Sequence, residues 1–96
     1  MNKNFKDIND FANSHYWQIK KEGLYKAFQF NEFRLAMEFI NEIAKISIKN
    51  NHHPKLFNSY TNVELFWFTN DENKITEKDT QQAMRSDEIF MKFVKK

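Results

Sequence analysis

The chain contains no cysteine, a single glycine and a single proline. Without thiols there is no disulfide framework, no thiolate nucleophile and no cysteine-based zinc or iron–sulfur site. One glycine, Gly23, cannot supply a Walker or dinucleotide-binding fingerprint, which needs several to bring backbone amides onto phosphates. Collagen-like and linker-rich architectures fall for the same reason. No apolar run approaches the roughly 18 residues of a membrane-spanning helix, and the opening Met1 to Asp7 lacks the apolar stretch of a signal peptide. The expected location is therefore cytoplasmic, with no membrane partner. Charge of one sign is also scarce: 15 Lys+Arg against 13 Asp+Glu leave a net +2, short of the basic face that marks a nucleic-acid binder. Nucleic acid is not an expected partner.

What the chain has instead is aromatic carbon. Eleven Phe, two Trp and three Tyr make 17% of its 96 residues, too much for a disordered segment. The length fits one domain over 1–96. A domain of this size buries only about 60–65% of the surface its unfolded chain exposes, so self-association would add to a thin margin.

The apolar spacing gives the element order. Phe5, Ile8, Phe11 and Ala12 lie on one side of a short helix over 4–12, with Asn4 as its cap. Over 16–21, Trp17 and Ile19 alternate with Gln18 and Lys20. Glu22-Gly23 supplies a turn, and a strand over 24–30 follows with Lys26, Phe28 and Phe30 on one face. Asn31 is placed to cap a helix over 32–48 with Phe33, Ala36, Met37, Ile40, Ile43 and Ala44 as its stripe. Leu35, Phe39 and Ile46 fall outside that stripe, an apolar sector too wide for one sheet face. A second protein surface is the expected cover.

Pro54 disfavours helix at the residue before it, so 49–55 is a loop. Strands over 56–60 and 63–69 follow, joined across Thr61-Asn62, with Val63, Leu65 and Trp67 on one face and Glu64, Phe66, Phe68 and Asn70 on the other. Thr76-Glu77-Lys78-Asp79 has capping-box spacing and opens a last helix reaching Val94, with Ala83, Phe90, Phe93 and Val94 inward. The expected fold is α+β, a four-stranded antiparallel sheet with three helices on one face.

Chemistry-bearing residues are few. The three histidines are His15, His52 and His53. The adjacent pair is a poor metal site, because consecutive side chains in extended structure diverge and no third ligand stands at helical spacing beside it. As a proton-transfer site it is better suited, since imidazole gives and takes protons near neutrality. His15 stands alone before a strand and is expected to face solvent. Trp17 is expected in the core or at an interface rather than as a stacking platform, and Phe66 and Phe68 either wall a pocket or, the favoured alternative, pack against another subunit.

Taken together, several stretches resemble the pterin-4a-carbinolamine dehydratase family. They are Phe28-Gln29-Phe30, then Phe33-Arg34 with Ala36 and Phe39, Asn51-His52-His53-Pro54, Phe57-Asn58, Tyr60-Thr61-Asn62-Val63 and Thr76-Glu77-Lys78-Asp79, spanning Trp17 to Ile89. The resemblance implies a four-stranded antiparallel sheet with three helices, assembled as a homodimer or homotetramer. It implies removal of water from 4a-hydroxytetrahydropterin to give quinonoid dihydropterin, with pterin as substrate and no cofactor. Protons then move at N5 and at the leaving hydroxyl, which asks for a positioned acid and base. His53 is the expected main acid/base, with His52 orienting substrate or sharing the proton transfer, and Asn70, Asp79 and Asn51 on the substrate.

The chain also departs from the family pattern. A third histidine, eighteen positions after His52, would fall at Asn70, which hydrogen-bonds but does not shuttle protons near neutrality. Acids four positions and one position before the pair are replaced by Ile48 and Asn51, and a nearby aromatic by Leu56. Asp79, Tyr60 and Asn58 match family positions, although capping explains the first and turn hydrogen bonds the others. The alternative is a weakened relative that binds pterin or serves as a protein-interaction module. A single-strand binder using the open sheet face is disfavoured, since Glu64 alternates with Phe66 and Phe68 and no arginine is near.

Overall fold

The computed structural model describes residues 7–94. Its elements are α1 (Ile8–His15), β1 (Gln18–Lys20), β2 (Gly23–Gln29), α2 (Phe33–Lys49), β3 (Lys55–Ser59), β4 (Asn62–Trp67) and α3 (Glu77–Val94). The strands form one antiparallel sheet in the order β1-β2-β4-β3. The expected α+β architecture is the one the chain adopts.

Register decides which face is buried. β2 meets β4 with Leu24 opposite Trp67 and Phe28 opposite Val63, so Leu24, Phe28, Val63, Leu65 and Trp67 all point to the side the helices cover. Tyr25, Ala27, Glu64 and Phe66 stand on the other face, none of them buried. The β1–β2 turn falls on Lys21-Glu22, one residue earlier than the spacing suggests, because Gly23 already pairs with Lys20. Gly23 has φ +138, and a Cβ there would lie 2.6 Å from the Trp67 carbonyl oxygen. Only glycine lets β4 approach so closely.

Five phenylalanines knit the helices to the sheet. Phe39 packs against Phe28, Phe30, Phe90 and Phe93 at ring-centre distances of 4.9, 5.1, 6.1 and 6.1 Å. Burying one such ring is worth about 1.5–3 kcal/mol. This corrects the expected α2 stripe: the buried residues are Ala36, Phe39, Ile43 and Ser47, while Phe33 is 51% exposed and Ala44 is exposed. A large ring outweighs a methyl, and the helix rotates to bring Phe39 inward.

Other boundaries move for local reasons. Asn4 and Phe5 lie outside the described residues, and the N-cap of α1 is Asp7, whose carboxylate accepts from the Asp10 amide at 2.8 Å. That helix continues past Ala12 to His15, which stacks on Phe11 at 4.5 Å rather than facing solvent alone. The first turn of α2 is closed by the Glu32 carbonyl, which accepts from Leu35 and Ala36. Asn31 is thus one residue too early to cap it, and Glu32 occupies the cap with no side-chain bond. The β3–β4 turn falls on Tyr60-Thr61, since Ser59 pairs with Asn62. Asn58 Nδ2 donates to the oxygens of Tyr60 and Asn62 across that turn. In α3, Ala83 and Ile89 are buried and Phe90 and Phe93 pack on the core, but Val94 is 48% exposed. Trp17 is core, 3% exposed, with its indole N–H on Asp87.

Candidate active site

The His52-His53 segment is the exit of α2. Asn51 adopts a left-handed conformation, φ 50. Its N–H returns to the Ile48 carbonyl at 3.2 Å, while the N–H of His52 returns to Ser47 at 3.0 Å. This pair of bonds is the Schellman ending, for which glycine is the first choice and asparagine the second. Asn51, expected on the substrate, is an exposed helix-ending residue outside the recess described below.

The two histidines diverge. His52 turns inward, its ring nearly parallel to that of Trp67 at 6.0 Å, with Nε2 2.6 Å from Asp79 Oδ1. Its side chain is 13% exposed and that of Asp79 is 0% exposed. The other carboxylate oxygen, Oδ2, accepts from the Thr69 hydroxyl at 2.7 Å and from the Thr76 N–H at 2.8 Å. The second of these is the reciprocal arm of the capping box, so one side chain both caps α3 and holds an imidazole. An acceptor-only carboxylate assigns the ring hydrogen to Nε2.

His53 turns the other way, into a recess of about 540 Å³ lined by Lys21, Glu22, His53, Pro54, Lys55, Phe66, Phe68, Asn70 and Asn73. That volume lies within the about 300–1,000 Å³ of ligand pockets. The recess opens where the β1–β2 turn, the start of β3 and the end of β4 meet. Phe66 and Phe68 wall it with carbon, and His53 and Asn70 bring a proton carrier and an amide to the same space. Phe66 is itself backed by Tyr25 at 4.8 Å and Phe57 at 5.9 Å. The Tyr25 phenol donates to Glu64 at 2.8 Å, which raises its pKa above 10.0; burial and the Glu64 charge push the same way. Among the described residues no group of three His, Cys, Asp or Glu side chains could hold a metal ion, and no helix is long and apolar enough to cross a membrane.

With this geometry in hand the comparisons are specific. Residues 3–89 match the family described as pterin 4 alpha carbinolamine dehydratase. The chain belongs to that family. A relative from Sinorhizobium fredii, named "Putative pterin-4-alpha-carbinolamine dehydratase", is 35% identical over 74 residues, covering 75% of this chain and 70% of the relative. One of the same name from Sulfurisphaera tokodaii is 33% identical over 74 residues, covering 77% and 80%. The crystal structure of a transcriptional coactivator/pterin dehydratase from Brucella melitensis superposes with a TM-score of 0.77 at 28% identity, over 90% of this chain and 98% of that one.

Of the residues the sequence singled out, His53 and Asn70 share the recess, His52 and Asp79 pair behind it, and Asn51 stands apart. Sequence reasoning missed Thr69 and Gln82, which are 1% exposed each and hydrogen-bonded to this machinery. A usable signal existed for Gln82. Asp79, Gln82, Ala83 and Ser86 share the inward side of α3, and polar groups at core positions need partners.

Proposed function

We propose that the chain dehydrates 4a-hydroxytetrahydropterin to quinonoid dihydropterin, with His53 as the acid/base group. The observation that carries this reading is the recess itself, in which His53 and Asn70 stand together between phenylalanine walls in a chain of this family. A bicyclic pterin lies flat against Phe66 and Phe68. The reaction breaks the C4a–OH bond, releases the N5 proton and forms the C4a=N5 double bond, so one proton is delivered to the leaving hydroxyl and one is taken from N5. His53 serves one of these transfers and returns the proton in the other, while Asn70 hydrogen-bonds the ring or the departing water. His52, bound to Asp79, stabilises the backbone from which His53 projects. A positioned acid/base group contributes about 10²- to 10⁴-fold, and that is the loss expected for His53→Ala in a stopped-flow assay with purified protein. Equal background rates in wild type and variant would reject the reading.

A second reading, a pterin-binding or protein-interaction module, is favoured by one feature. Phe33 is 51% and Ile48 72% exposed, both on α2, a surface suited to a homodimer or homotetramer contact. Sedimentation of the wild type beside Ile48→Asp measures that association, and pterin titration of a protein without turnover separates a binding module from an enzyme.

A further inference from the structure

Gln82 stands one turn after Asp79 on α3, 1% exposed, and every hydrogen-bonding position of its amide is used. Nε2 donates to the main-chain oxygens of His52 at 3.1 Å and Ile46 at 3.3 Å. Oε1 accepts from Asn50 Nδ2 at 3.2 Å and from the Arg85 guanidinium at 2.9 Å. The partners fix which end is which, since carbonyls only accept and guanidinium only donates. A buried amide is costly unless fully paired, and this one is paired to the segment that carries both histidines.

The consequence for His53 follows from backbone geometry. His52 is held at its N–H by Ser47, at its ring by Asp79 and at its carbonyl by Gln82. The peptide unit is planar, so fixing the His52 carbonyl fixes the plane that contains the His53 nitrogen and ends at the His53 Cα. On the other side Pro54 confines His53 to extended conformations. Held from both directions, the His53 Cα–Cβ bond has a fixed direction, and from it the imidazole reaches the recess that it lines.

We infer that Gln82 is a positioning residue: by holding the peptide between His52 and His53 it aims the His53 imidazole at the bound pterin. The inference rests on the dehydratase reading for its kinetic consequence, though not for its structural one. Gln82→Leu is the direct test. An Asn50→Leu/Gln82→Leu double variant accompanies it, because it removes both members of the Asn50–Gln82 hydrogen bond together, and circular dichroism would verify that it folds. The readouts are kcat and KM on 4a-hydroxytetrahydropterin and the imidazole NMR signals of His53. In both variants kcat falls about 10- to 100-fold, the scale of a small misplacement of a reacting group, with KM close to wild type, and the His53 ring signals shift and broaden. Wild-type kcat in the folded double variant would overturn the inference by showing that Gln82 only braces α2 against α3. Should the wild type prove inactive, the dehydratase reading fails by itself and the NMR arm still decides: His53 signals unmoved in a folded variant would overturn the role of Gln82, and displaced signals would uphold it.

Discussion

His52 Nε2 lies 2.6 Å from Asp79 Oδ1, and that carboxylate has no exposure to solvent. Asp79 therefore serves three partners from inside the protein. Asp79→Ala leaves the His52 ring, the Thr69 hydroxyl and the Thr76 N–H without their acceptor, and should cost about 3–5 kcal/mol. Asp79→Asn keeps the shape and one acceptor oxygen, so about 1–3 kcal/mol is expected. Its NH₂ group, turned toward His52, would require Nε2 to accept, and the ring would change tautomer. Urea unfolding gives the energies and nitrogen NMR of His52 gives the tautomer; an unchanged unfolding midpoint for both variants would contradict the central role of this carboxylate.

Gly23 ties the recess to the sheet. Its φ of +138 is sparsely populated by other residues, and a Cβ would press on the Trp67 carbonyl at 2.6 Å and its carbon at 3.0 Å. Gly23→Ala should cost about 1–3 kcal/mol from backbone strain alone, with the contact to β4 adding to it. Because Lys21 and Glu22 of the adjoining turn line the recess, pterin affinity should fall as well. Wild-type values of both the denaturation midpoint and the pterin dissociation constant would refute this.

On the open sheet face the phenol of Tyr25 donates to Glu64, and the bond raises its pKa above 10.0. A raised folded-state value means that the fold favours the protonated phenol. Its stabilisation is complete below pH 10, and it is lost as pH rises from there through the folded-state value. NMR titration of a labelled Tyr25 ring should show ionisation above the ordinary tyrosine range in the wild type and a lower value in Glu64→Ala. Identical titration curves would remove Glu64 as the cause.

The sheet was legible because alternation is a local property: Val63, Leu65 and Trp67 against Glu64 and Phe66 fix the buried face of β4 from six letters. The α2 stripe was not, because 3.6-residue spacing admits two neighbouring stripes in so apolar a helix. The choice between them belongs to Phe28, Phe30, Phe90 and Phe93, none of which lies on α2. The site divided in the same way. The His-His pair was a weak signal by itself and gained its role from the family resemblance, while spacing alone gave Asp79 its capping role. Asn51 showed a polar side chain next to them, and nothing in the letters distinguishes a substrate contact from a Schellman ending, since φ 50 appears only in the folded backbone. Gln82 reaches its partners across 30 and 36 residues, a separation no local pattern spans.

Asn70 is the position where a proton carrier could be restored. It lines the recess with His53 and is itself exposed, so an imidazole there meets no packed neighbour that must move. The family resemblance implies a histidine at this place, and an amide can hold a hydrogen bond to substrate without carrying the proton onward. If delivery to the leaving hydroxyl limits the reaction, Asn70→His should raise kcat about tenfold, a modest share of the about 10²- to 10⁴-fold that general acid–base groups supply. Its pH–rate profile should gain a second limb near neutrality beside the one His53 supplies in the wild type, and the double variant with His53→Ala should lose the gain, because the two imidazoles serve opposite ends of one transfer. A rate no higher than wild type would move the limitation to Ile48 and Asn51, where the same resemblance implies acids and this chain has none.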